Sequence, residues 1–189
     1  QGQIGLLHYQ KGRLLLQLKQ INQGFESITK GVELDGALAE GHVFLAQSYY
    51  RDQEWDKAAS HFEAVLRTDD KNLVALQGLA QVRVIQEKPE AASEALEAWL
   101  VVQPSVLWAR VKLAQLYETQ LKKPEKALPL YRGLKEDLEK GRLKDKPDVD
   151  VVAKVTNLET LLKKEIERKQ SSVEEPKTTD KKPKQGGQK

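Results

Sequence analysis

Apolar positions recur every three to four residues along most of this chain, the spacing of amphipathic helices rather than strands. Segment 39–53 places Val43, Ala46, Tyr49 and Tyr50 at helical spacing, and 56–68 does likewise with Ala58, Phe62, Val65 and Leu66. A last stretch, 148–169, sets Val151, Val155, Leu158, Leu162 and Ile166 on one stripe. Asp148 and Asp150 stand at its start, where negative charge suits the positive end of a helix. The pattern predicts an all-α chain built from short antiparallel helix pairs.

The pairs repeat. Leu-Ala-Gln occurs at 45–47, 79–81 and 113–115, spaced by 34 residues both times. Tyr49 and Tyr117 each follow the leading Leu by four. Further on come Ala58 with Phe62, Ala92 with Leu96, and Ala127 with Tyr131, each pair four apart, and Pro104 closes one copy. Lys88-Pro89-Glu90 and Lys123-Pro124-Glu125 open two of the second helices. Proline at a first helical position loses no hydrogen bond, and the glutamate favours the helix dipole. A small residue at Ala46, Ala80 and Ala114 lets the paired helix approach closely.

These residues resemble the tetratricopeptide repeat, whose 34-residue pattern is W-x2-L-G-x2-Y, then A-x3-F, then P. The resemblance covers about 135 residues. It implies a helix-turn-helix solenoid, a superhelix in which neighbouring hairpins bury each other's apolar stripes. Four repeats are expected over 5–141, at 5–38, 39–72, 73–106 and 107–141, the last with one inserted residue near Lys122. A C-terminal capping helix is expected at 148–169, and a disordered basic tail at 170–189, where Ser, Thr, Pro, Lys and Gly dominate. The first copy is degenerate: Gly12, Gly24 and Gly31 fill small positions, but Lys11 sits in an apolar slot. With no convincing N-cap ahead of it and no methionine in the chain, further repeats or a linker upstream are expected.

The resemblance also implies a binding groove lined by the first helix of each repeat. Carried over copy by copy, it takes Tyr9, Gln10, Arg13 and Gln17 from the first repeat, and Val43, Phe44, Gln47, Tyr50 and Arg51 from the second. The third offers Gln77, Gln81, Val84 and Ile85, and the fourth Trp108, Val111, Lys112 and Gln115. Rings give contact area, and glutamine can pair with both N–H and C=O of a peptide backbone. Of the three tryptophans, Trp55 and Trp99 fall in core-type slots, leaving Trp108 as the ring expected to touch a ligand. Relatives that hold the carboxylate of a chaperone tail use Lys, Asn and Arg at set groove positions. Here those positions read Leu6, Gln10, Phe44, Val74 and Gly78, with only Lys112 basic, so that clamp is absent.

Two departures in the third copy call for compensation. Arg83 takes the slot of Tyr49 and Tyr117, and Trp99 stands where a small residue is usual. A stacked Arg83–Trp99 contact would relieve both. Pro129 should disturb the last second helix, since it removes one backbone bond.

Composition narrows the function. The chain has 189 residues, net charge +3 and no cysteine, which excludes disulfides, thiolate metal sites and a cysteine nucleophile. Six lysines and three acids beyond Arg168 carry the whole +3, so the body is neutral, and nucleic acid is disfavoured as a partner. Charge is nonetheless polarised: 10 basic against 14 acidic groups in 1–106, and 15 against 11 in 107–168. That asymmetry leaves self-association into a homo-oligomer open.

No apolar run is long enough to span a membrane, and no signal peptide is recognisable. His8, His42 and His61 lack metal-ligand spacing, and two of them sit where the family places a packing Trp. No phosphate loop and no nucleophile with an identifiable base occur. The expectation is a non-enzymatic scaffold without cofactor, metal or catalytic residue, binding a partner protein segment or peptide. Compartment stays open, since absent cysteine suits cytoplasm and cell envelope alike.

Overall fold

The computed structural model describes residues 2–173. Among them the chain runs as helices, without strands: α1 (Gly2–Gln17), α2 (Ile21–Leu34), α3 (Ala39–Arg51), α4 (Trp55–Leu66), α5 (Leu73–Ile85), α6 (Pro89–Val102), α7 (Leu107–Gln115), α8 (Pro124–Glu139) and α9 (Val151–Val173). A π-helical turn, Leu116–Gln120, extends α7. Consecutive helices form the hairpins α1/α2, α3/α4, α5/α6 and α7/α8, and α9 packs on α8. The tail expected at 170–189 starts later than expected, since α9 stays helical to Val173, and its remainder lies outside the described residues.

One device turns each hairpin. The first helix ends in a residue with left-handed backbone: Lys19 (φ 62), Gln53 (φ 61), Glu87 (φ 54) and Lys122 (φ 54). Around the first three the same pair of hydrogen bonds recurs, a Schellman closure. Gln20, Glu54 and Lys88 donate back to the carbonyls of Leu15, Tyr49 and Arg83, while the left-handed residues donate to Leu16, Tyr50 and Val84. In the fourth hairpin the long bond runs from Lys123 N–H to Tyr117 O and spans one residue more. The extra residue is absorbed upstream by the π turn, where Leu121 N–H reaches the carbonyl of Leu116 at 2.9 Å.

Small side chains set the closeness of each pair. Ala46, Ala80 and Ala114 are fully buried. In the first hairpin the approach is closer still, backbone against backbone. A Cβ on Gly31 would lie 2.7 Å from Gly5 O, and one on Gly12 would lie 2.7 Å from Gly24 O. Two glycine pairs thus hold α1 onto α2 at a separation no other residue permits.

The apolar residues gather into three clusters along the stack. The C-terminal one merges α5 to α9, from Leu76 through Trp99, Tyr117 and Leu134 to Val155 and Leu158. Val151, Val155 and Leu158 of α9 are buried and Leu162 is half-buried, but Ile166 is exposed. The first half of α9 therefore does the covering. Asp150 caps this helix by accepting from Ala153 N–H at 3.0 Å. Helix α8 continues unbroken through Pro129.

The Arg83–Trp99 contact does not form. Arg83 donates instead to Glu63 and, at 2.9 Å, to Gln86 Oε1, so its charge is paired across the α4/α5 junction. Trp99 lies against Trp108 with ring centroids 5.9 Å apart, and its Nε1 donates to Gln103 Oε1 at 3.4 Å.

Candidate functional site

The first helices of the hairpins expose a shared face, and α3 sits at its centre. On it Phe44, Gln47, Tyr50 and Arg51 project beside Val74, Gln77, Gly78 and Gln81 of α5, around a depression of about 550 Å³. Its floor exists because position 78 has no side chain. A Cβ there would lie 2.2 Å from Phe62 Cζ, so the Phe62 ring occupies the space that a larger residue would take. A second depression of about 350 Å³ is lined by Tyr9, Val43, Glu40 and Asn72, and shares Phe44 and Gln47 with the first. The two lie side by side along α3, flanked by α1 and α5, and are together called the trough.

Polar groups in the trough have few internal partners. Arg51 Nη2 donates only weakly, at 3.3 Å, to Ser48 Oγ and meets no carboxylate among the described residues. Just outside the trough, Arg13 lies over the Tyr9 ring, 5.8 Å from its centroid. Phe44 is anchored from behind by Phe25, centroid to centroid 6.4 Å. Tyr50 is held edge-on by Trp55 at 5.3 Å. These rings are thus fixed at one edge while the other faces the trough, an arrangement suited to contact without a large ordering cost.

A third depression of about 280 Å³ lies further along, where Val84, Lys112 and Gln115 meet the π turn and Lys154 of α9. Here Glu118, carried by the π turn, accepts from Tyr131 Oη at 3.0 Å and from Lys154 Nζ at 2.7 Å. Burial, and secondarily the Glu118 bond, pushes the Tyr131 hydroxyl well above the ordinary tyrosine range. Tyr117 is likewise raised, to about 12, chiefly by burial and then by its bond to Glu97. Both phenols stay neutral donors, and the cluster ties the capping helix to the last hairpin.

The expected site residues do not all share one place. Tyr9, Phe44, Gln47, Tyr50, Arg51 and Gln81 line the trough, while Lys112 and Gln115 line the third depression. Arg13 and Ile85 are exposed but line neither. Val111 is a correction: only 3% exposed, it belongs to the C-terminal core and offers no surface. Trp108, 37% exposed, rests against Trp99 and lines none of these three depressions. Trp55 is half-buried, packed against the cluster of α3 to α5 and edge-on to Tyr50.

The largest depression, about 770 Å³, was not foreseen. It is a wedge between α2 and the end of α3, lined by Ile21, Phe25, Thr29 and Tyr49 with Glu26, Glu33 and Asp52 at its edges. Its only sequence signal is Phe25, four residues after Ile21 on α2.

Helix hairpins closed in the same way every 34 or 35 residues, with alanines at their crossings, decide the architecture. The fold is that of a tetratricopeptide-repeat solenoid. Solved structures agree. The first tetratricopeptide domain of Spaghetti (RPAP3), bound to the HSP90 peptide SRMEEVD, superposes with a TM-score of 0.51 at 19% identity, covering 62% of this chain and 94% of that one. A structure of MamA gives 0.58 at 15% identity over 93% of this chain and 97% of that one. The tetratricopeptide domain of Arabidopsis OM64 gives 0.50 at 21% identity, over 61% and 95%. No protein-family model and no curated protein matches the chain. Within the solenoid no helix among the described residues is long and apolar enough to cross a membrane.

Proposed function

We propose that this solenoid is a non-enzymatic scaffold, comprising four repeats over 5–141 and a capping helix, that holds an extended segment of a partner protein in the trough. The observation that carries the reading is the pair of adjacent depressions that share Phe44 and Gln47. Fixed rings supply apolar contact, and Gln47, Gln77 and Gln81 present amides that can pair with a strand-like backbone. No cofactor or metal enters this reading.

The Spaghetti domain, similar in fold, holds an HSP90 peptide. Of the corresponding clamp positions here only Lys112 is basic, while Leu6, Gln10, Phe44, Val74 and Gly78 are apolar or neutral, which argues for a partner recognised along its length rather than by its C-terminal carboxylate. The test is affinity capture from native extract with the wild-type chain and a Val74→Glu/Gln81→Ala variant. Val74 is exposed and Gln81 half-buried, so the fold should survive. Loss of specific partners from the variant, but not from Trp108→Ala, is the expected outcome. Identical capture by both would end the trough reading.

A further inference from the structure

Where one repeat meets the next, the later junctions are tied by polar bonds and the first is not. At the second junction Arg83 of α5 donates to Glu63 of α4, and Gln86 Nε2 reaches Asp56 at 2.8 Å. At the third, Tyr117 Oη donates to Glu97 of α6. The first junction keeps the tyrosine without its acceptor. Tyr49 stands at the Arg83 and Tyr117 position, whereas Thr29 replaces Glu63 and Glu97. The bonded side chains of α2 reach only into the first hairpin, Ser27 to His8 O and Thr29 to Phe25 O. Among the described residues no side-chain hydrogen bond or ion pair links α2 to α3, and Tyr49 Oη has no acceptor. The short threonine leaves the wedge of about 770 Å³ open.

Its walls are apolar and its rim is acidic. Exposed Ile21 and half-buried Phe25 and Tyr49 form the walls. The two rings meet edge-on, with centroids 5.7 Å apart. Glu26, Glu33 and Asp52 are exposed around them, with no side-chain hydrogen bond or ion pair among the described residues. Lys30 shares the lining but pairs with none of them, leaving three carboxylates against one ammonium. Lys57 approaches the Tyr49 ring, 5.3 Å from its centroid, but is tied to Glu54 at 3.0 Å.

The second junction shows what such a place accepts. There the Arg83 side chain, 17% exposed, lies between α4 and α5, bonded to a carboxylate and, at 2.9 Å, to Gln86 Oε1. A guanidinium is planar, weakly hydrated and carries five donors, so it can stack on a ring while bonding separate carboxylates. An ammonium is a hydrated point charge, and Lys30 leaves all three acids unpaired.

Stacked repeats do not cover this place. Its counterparts further along stay at the surface with helices packed on both sides, Glu63 43% and Glu97 48% exposed. The basic half of a second copy is poorly equipped to fill it. Arg110 and Arg142 are held by Asp137, and Arg132 by Glu159, of their own chain, so in that half Arg168 alone remains.

We propose that the wedge is a docking site, separate from the trough, for an extended, arginine-bearing segment of a partner protein. The guanidinium stacks on the Phe25–Tyr49 ring pair and bonds Asp52 from α3 and Glu26 from α2. An apolar residue of the segment rests on Ile21. Glu33, about two turns further along α2, continues the acidic rim.

The probes are three nine-residue peptides with a central Arg, Lys or citrulline flanked by Leu and Ser. They are titrated into isotope-labelled protein at about 0.1 M salt and followed by backbone amide shifts. Shifts at 21–33 and 49–53 should saturate with the arginine peptide, at least about fivefold more tightly than with the lysine peptide. Citrulline, which keeps the shape without the charge, should shift nothing. Glu26→Gln/Asp52→Asn, at two exposed positions, should weaken the arginine peptide about tenfold. Val74→Glu in the trough should leave its affinity unchanged, so failure of this site and failure of the trough reading are distinct results. No saturable shift with the arginine peptide, an equal response to citrulline or lysine, or shifts confined to the trough would overturn the proposal. So would wild-type self-association, seen by sedimentation, that the double variant disperses.

Discussion

His42 and His61 meet Nδ1 to Nδ1 at 2.8 Å across the α3/α4 hairpin. His42 Nε2 lies 3.1 Å from Gly36 O and must donate there, so His42 Nδ1 accepts and His61 Nδ1–H donates. Tyr49 stacks on the His61 ring at 5.5 Å. Burial is the main cause holding both imidazoles below the usual histidine range; His42 further lowers His61, to about 4. Around His42, Asp35 favours and Arg67 opposes the charged form.

The sign of the pH dependence follows. Both rings are neutral in either state above pH 6.5, where this contribution is complete. As pH falls from 6.5 toward 4 the unfolded chain takes up protons that the folded pair refuses, and stability declines. Between pH 7.5 and 4.5 the urea midpoint should drop by an amount equivalent to on the order of 2 kcal/mol. His61→Gln, which keeps a donor but does not titrate, should flatten that decline. A decline of unchanged slope would remove the pair as its source.

The four hairpin turns carry a correctable strain. Gln53 adopts φ 61 with a side chain present, and its fellows Lys19, Glu87 and Lys122 do the same. Glycine closes α8 at Gly141 with the same backbone conformation and no such cost. Gln53→Gly should therefore raise stability by about 1 kcal/mol, and Glu87→Gly similarly. Thermal melts of the two single variants check the claim.

Gly31 is the opposite case. A methyl there meets the Gly5 carbonyl at 2.7 Å, so Gly31→Ala must push α1 away from α2. Nothing lies within 4 Å of the corresponding position on Gly36. Gly31→Ala should cost about 1–3 kcal/mol, as overpacking does, while Gly36→Ala should be nearly silent. Proteolysis of the first hairpin reads the difference locally.

Glu118 links the cap to the stack through Tyr131 and Lys154. Glu118→Gln removes the charge that Lys154 faces while keeping one acceptor for Tyr131. Hydrogen exchange across 151–162 should accelerate about tenfold, with the first hairpin unaffected. Uniform acceleration along the chain would mean the cap is not a separable unit.

Much of the architecture was legible because it repeats: Ala46, Ala80 and Ala114 carry the crossing geometry in one register, and all are buried. The inserted residue near Lys122 was legible as a count but not as a shape, since spacing alone does not say that the π turn at Leu116–Gln120 absorbs it. Val111 misled for a related reason. Carrying a groove position from copy to copy assumes that each first helix is covered equally, whereas the clusters of α5 to α9 merge into one core. The Arg83–Glu63 pair was hidden by sequence distance, because nothing local marks which carboxylate of α4 reaches α5.

One residue added to a helix turns everything after it by about 100°. In a stack whose members interlock by side-chain angle, that would misalign α8 and α9 with all that precedes them. The Leu116–Gln120 turn works as a phase corrector: it takes up the extra step within a single coil and returns the chain to Pro124 in time with the earlier hairpins. Length can therefore vary at this one place while the orientation of the terminal helix is kept, and Glu118, carried by the correction within reach of Tyr131 and Lys154, becomes the bolt that secures it.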